Sequence, residues 1–89
     1  MTPAMKELYR EHILMSLCDA VGIGLPQDGI LIGLKSQGYV TDQKELATQM
    51  EYLEDKGLIA SKKSEVSVGV KRYRITAAGR EYAEEKGLA

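Results

Sequence analysis

Eighty-nine residues are enough for one domain and too few for two independent cores, so a single unit over residues 1–89 is expected. A hydrophobic share of 44% with 28% charged residues belongs to a globular chain. No apolar run nears the roughly 18 residues of a membrane span, MTPAMKELYREH lacks a signal-peptide layout, and the lone Cys18 offers no intramolecular disulfide; the expectation is a cytoplasmic protein with no membrane partner. The net charge of −1 argues mildly against a generally basic nucleic-acid binder.

Thr2-Pro3 reads as a helix start, a capping residue followed by proline at the first helical position, and the helix is predicted to run to about Val21 before Gly22 and Gly24 end it. It carries two apolar stripes. Tyr9, Ile13, Leu17 and Ala20, joined by Leu14, Cys18 and Val21, suit a core, whereas Met5, Leu8, His12 and Met15 form a second stripe at 3-4-3 spacing on the other side. Leu25-Pro26 is an extended or capping dipeptide, and a short helix follows from about Gln27 to Ser36 with Ile30, Leu31 and Leu34 inward. Gly29 and Gly33 each cost it roughly 1 kcal/mol relative to Ala. It therefore relies on tertiary packing, or the glycines admit a neighbouring helix. After Gly38, Tyr39-Val40 is placed on the core.

Asp42 to Ile59 reads as a capped amphipathic helix that passes directly into a strand. Leu46, Met50 and Leu53 share one face, Asp42 and Glu45 form a capping box, and Gly57 ends the helix. LIASKK, a polar SEVS connection and VGVKRYRI then read as a two-stranded hairpin. Val66, Val68 and Val70 have the opposite parity to Tyr73 and Ile75. Either a bulge near Gly69 to Arg72 reconciles them, or the valines belong to a loose tip. Thr76 caps a last helix ended by Gly87, with Ala78, Tyr82 and Leu88 as its apolar contacts. Charge is unevenly spread along this order. Residues 1–57 sum to −4, residues 58–74 to +4 and residues 75–89 to −1.

The run Leu46, Met50, Leu53-Glu54, Gly57-Leu58-Ile59, followed by Tyr73, Ile75-Thr76 and Gly79, resembles the third helix, wing and last helix of bacterial winged-helix regulators of the PadR, MarR and ArsR type. From Arg10-Glu11-His12 onward the chain is also similar to the small winged-helix proteins of Mu-like prophages. The resemblance implies an α+β winged helix-turn-helix with a three-helix core, a two-stranded β-hairpin wing and a closing C-terminal helix. It further implies double-stranded DNA as partner and a prophage transcription regulator as the role. Winged helices also serve as protein-interaction modules, so an adaptor without direct DNA binding is the alternative.

If the third helix enters a major groove, its N-terminal half makes the contacts. Gln43 could read adenine, Lys44 could reach guanine or phosphate, and Thr48 could serve base or backbone, while Glu51, Glu54 and Asp55 would repel phosphate from the C-terminal half. The plain alternative is a solvated helix face. Lys62, Lys63, Lys71, Arg72 and Arg74 surround the hairpin and suit phosphate contact, against the plainer account that lysines guard exposed strand edges from aggregation.

His12 and Cys18 lack partners for a metal or a nucleophile, GIG at residues 22–24 is not a dinucleotide fingerprint, and no carboxylate pair is marked out. No catalytic residue, cofactor or metal is expected. The stripe of Met5, Leu8, His12 and Met15 either packs on the last helix through Tyr82 and Leu88 or, with Tyr82, forms a homodimer interface between N- and C-terminal helices.

Overall fold

Pro3 opens the first helix because its missing N–H would have had no acceptor there, and Thr2 supplies the cap by accepting from the Met5 amide at 3.2 Å. This helix, α1 (Pro3–Asp19), is followed by β1 (Leu25–Pro26), α2 (Gln27–Ser36), α3 (Gln43–Asp55), β2 (Ile59–Lys63), β3 (Lys71–Ile75) and α4 (Ala77–Glu85). The computed structural model describes residues 1–20, 22–63 and 71–88. Over those residues the fold is α+β, four helices against a small antiparallel sheet. The expected helix end at Val21, the SEVS connection and the three valines lie outside the described residues.

α2, α3 and α4 all end the same way. After α3, Gly57 takes φ +75°, its amide donates to the Glu54 carbonyl at 2.9 Å, and the Leu58 amide reaches back to the Leu53 carbonyl at 3.0 Å. Gly38 with Tyr39, and Gly87 with Leu88, repeat that pair of bonds after α2 and α4. In each case the residue after the glycine, Tyr39, Leu58 or Leu88, is turned onto the core. Val40, the residue after Tyr39, is 99% exposed rather than docked as expected. At the other end of α3, Asp42 accepts from the Glu45 amide at 2.8 Å, but the Glu45 carboxylate takes a bond from Gln49 Nε2 at 3.1 Å, so the expected capping box shows this one arm. α2 resolves its own alternative. Gly33 has nothing near its missing side chain and Gly29 faces only the Pro26 ring, so no helix crosses there and Ile30, Leu31 and Leu34 hold it by packing.

The sheet order is β1-β3-β2, with both neighbours antiparallel to the central β3. The expected two-stranded hairpin is β2 with β3, and β1 adds a third strand to its sheet. Leu25 pairs with Tyr73 and Pro26 with Arg72; a two-residue strand shows no alternation in sequence, and proline is tolerated on an edge. Ile59 to Lys63 pair without interruption against Ile75 to Lys71, so the described part of the hairpin contains no bulge.

Tyr9, Ile13, Leu14 and Leu17 from α1 meet Ile30, Leu31 and Leu34, then Leu46, Met50 and Leu53, and the sheet adds Ile59, Tyr73 and Ile75. α4 contributes Ala83 and Gly79 while Ala78 is exposed, so the expected contact through Ala78 shifts round the helix. Two stacked tyrosines in this core differ in one respect. Tyr9 and Tyr39 meet edge to face at 5.2 Å, yet the Tyr9 hydroxyl shares a 2.8 Å bond with Thr41 Oγ1 and the buried Tyr39 hydroxyl has no hydrogen-bond partner among the described residues. Burial pushes both phenols above their usual range. Tyr9→Phe is expected to lower the unfolding free energy by about 1 kcal/mol and Tyr39→Phe to raise it by up to about 1 kcal/mol. Urea unfolding of the two variants measures this, and equal signs would contradict the assignment.

Candidate nucleic-acid interface

Alternation along β3 turns Tyr73 and Ile75 into the core and leaves Arg72 and Arg74 on the other face, where both are exposed. Lys62 lies directly opposite Arg72, and Ala60 opposite Arg74, so Lys62, Arg72 and Arg74 share that outer face. Lys63 and Lys71, also directly opposed, have the inward parity but sit beyond Tyr73 and are exposed as well. Like charges placed directly across an antiparallel pair cost stability, typically a few tenths of a kcal/mol each. Arg72 is steadied by a 3.3 Å bond from Nη1 to the Gly24 carbonyl. Edge protection accounts for the lysines of β2, which is an outer strand. It does not account for Arg72 and Arg74 on the central strand.

α3 presents Gln43, Lys44, Ala47 and Thr48 to solvent. The Gln43 side chain is already engaged: its Nε2 donates to Asp28 Oδ1 and its Oε1 accepts from Gln27 Nε2 at 2.8 Å, tying the start of α3 to the start of α2. Thr48 Oγ1 donates back to the Lys44 carbonyl at 3.0 Å. Lys44 is exposed without an engagement of this kind described. Farther along, Glu51, Glu54 and Asp55 are exposed, and Glu54 lies against β2, receiving a long 3.4 Å bond from Ser61 Oγ. Burial first, and then the Glu54 charge, pushes the Tyr73 phenol up. The end of α3 is thus an acidic neighbour of the hairpin.

Sequence reasoning passed over Arg10 and Gln49. Gln49 lies on the inward side of α3 and is only 3% exposed, and Arg10 Nε donates to its Oε1 at 2.6 Å. The Arg10 guanidinium also lies 3.7 Å from the centre of the Tyr52 ring, a cation–π contact, with Lys56 Nζ at 5.6 Å from the same ring. Arg10, Tyr52 and Lys56 line an open groove of about 400 Å³ between α1, α3 and α4, floored by Leu14, Leu53 and Leu58. Neither partner of the Arg10–Gln49 bond is near the other in sequence, so no local signal could have paired them.

Tyr82 lines that same groove, beside Pro3, Glu7 and Leu14. It is therefore not brought together with Met5, Leu8, His12 and Met15, and α4 does not cover them. Met5, Leu8 and Met15 are exposed, and with half-buried His12 they border the turn from Gln37 to Val40 on another flank of α1. The His12 ring meets Tyr39 edge to face at 5.3 Å, and its Nδ1 is buried with no hydrogen-bond partner among the described residues. Cys18 is half-buried, and burial, then Asp19, pushes its thiol up, away from the reactive thiolate.

Among the described residues no cluster of three His, Cys, Asp or Glu side chains could hold a metal ion, and no helix is long and apolar enough to cross a membrane. Comparisons with protein-family models, with curated proteins and with solved structures find no match.

Proposed function

We propose that the chain is a winged-helix DNA-binding protein that acts as a small transcription regulator of prophage origin, with the basic hairpin as a wing on the phosphate backbone and the first turns of α3 in the major groove. The observation that carries this reading is the two directly opposed pairs of like charges, Lys62 with Arg72 and Lys63 with Lys71, continued by Arg74 on the central strand. Such pairing disfavours the hairpin unless a polyanion relieves it. The element order, with a short strand between the first two helices joining the hairpin's sheet, supports the winged-helix arrangement. Lys44 is the residue of α3 best placed to reach the duplex, since Gln43 must first release Gln27 and Asp28.

The test is a titration of a random-sequence duplex at several salt concentrations. Five phosphate contacts per chain give a log–log salt slope of about −4 to −5, and Arg72→Ala with Arg74→Ala removes about 2 of that slope and roughly 50-fold of affinity near 0.1 M salt. Binding that ignores salt, or survives the double substitution unchanged, sinks the proposal.

A protein-binding adaptor is the second reading. The exposed apolar stripe of α1 and the carboxylates late in α3 favour it. Absence of any duplex binding in low salt would select it.

A further inference from the structure

Gln43 opens α3 with a side-chain amide that α2 holds at both ends. Its Oε1 accepts from Gln27 Nε2 at 2.8 Å, its Nε2 donates to Asp28 Oδ1, and Gln27 Nε2 also reaches the Gln43 carbonyl at 3.4 Å. Chemistry fixes the order of these bonds. A carboxylate only accepts, so Asp28 takes the amide nitrogen and leaves the amide oxygen to the donor on Gln27. The two atoms so engaged are the two that a glutamine needs for adenine, whose major-groove edge offers N6–H to the oxygen and N7 to the nitrogen. Lys44, next in α3, is exposed and has no hydrogen bond to α2 among the described residues.

Asp28 lies in the first turn of α2 and is exposed. Its charge suits the positive end of a helix whose N-cap, Pro26, supplies no side-chain bond. That role asks nothing of Gln43, yet the carboxylate is turned onto it.

We propose that Asp28 is a specificity-determining residue that acts through Gln43. By holding the amide against α2 it withdraws adenine reading from α3 and leaves the base preference of the first turn to Lys44, whose match is guanine. The inference rests on the DNA-binding reading above. Leaving α2 exchanges one charge-assisted and one neutral hydrogen bond for two neutral bonds to adenine, so the exchange brings no gain. A base with a single matching group brings a loss.

Four chains test this: wild type, Asp28→Ala, Gln43→Ala and the double substitution. Each is used to select bound sites from a pool of random duplexes, and affinities are then measured for the selected sites. The wild type and Gln43→Ala are expected to share one base preference. Asp28→Ala is expected to gain a preference for adenine at one position, roughly tenfold over the other bases, that the double substitution lacks. Loss of the Asp28 charge tightens Asp28→Ala and the double substitution alike, so it does not imitate that gain. An Asp28→Ala chain with the wild-type preference overturns the inference and leaves DNA binding in place. So does a wild-type adenine preference that vanishes in Gln43→Ala. Failure of all four chains to bind duplex in low salt overturns the DNA reading, and the inference with it.

Discussion

Gly79→Ala is expected to abolish cooperative folding or to cost at least about 3 kcal/mol, although alanine is the better helix former by about 1 kcal/mol. A Cβ at this position would fall on the Leu58 carbonyl oxygen and 2.7 Å from Ile75 Cγ1. The carbonyl cannot withdraw. It accepts from the Thr76 amide at 3.0 Å, and the Leu58 amide is held by Leu53 in the turn that ends α3. Nor can α4 lift away, since Thr76 Oγ1 accepts from the Gly79 amide at 3.0 Å while donating to the Gly57 carbonyl at 2.6 Å. The end of α3, the end of β3 and the start of α4 are one junction, and Gly79 is the space that lets it close. Thermal unfolding followed by circular dichroism measures the effect. Stability at or above wild type would show that the first turn of α4 does not seat on Leu58.

The second large effect is expected at Gly24, between α1 and β1. Gly24→Ala combines a φ of +76° with a Cβ 2.7 Å from the Tyr73 carbonyl oxygen, so strain and collision add, for about 2–4 kcal/mol. Gly22→Ala is its control: there φ is +91° but nothing lies within 4 Å, leaving the strain of about 1 kcal/mol. Denaturant unfolding of both variants separates the two contributions, and equal losses would remove the collision from the account. Relief of the collision moves β1 off β3, taking with it the Gly24 carbonyl that Arg72 Nη1 holds. Gly24→Ala should therefore also weaken the duplex binding proposed for the outer sheet face, in the molecules that remain folded.

These two positions show how differently parts of the fold could be read in advance. The caps Thr2, Asp42 and Thr76, and the terminating Gly38, Gly57 and Gly87, bracketed the helices well because capping chemistry is local. The piece Ile75-Thr76-x-x-Gly79 was visible as a resemblance, but its cause, a carbonyl entering from Leu58, requires the tertiary structure. Leu25-Pro26 is extended as read, but its pairing with β3 has no signal in two residues without periodicity, and Gln49 escapes notice because its burial depends on Arg10, far off in the chain. At the proposed interface, simple strand alternation is enough to separate Arg72 and Arg74 from Tyr73. What alternation could not supply was the cross-strand register that opposes Lys62 to Arg72, or the engagement of Gln43 by residues of α2.

The central place of β3 also bears on how the chain acquires its structure during synthesis. β1 and β2 are made first, but the strand that both pair with, β3, is made after them. Until residues 71–75 leave the ribosome, neither earlier strand has a backbone partner in the sheet, and the core lacks Tyr73 and Ile75. α1, α3 and α4 carry their own side-chain caps, whereas α2 has none at its start and depends on packing. Completion of the sheet waits for Lys71–Ile75, and a chain stopped before Lys71 carries two unpaired strand segments open to the wrong partner.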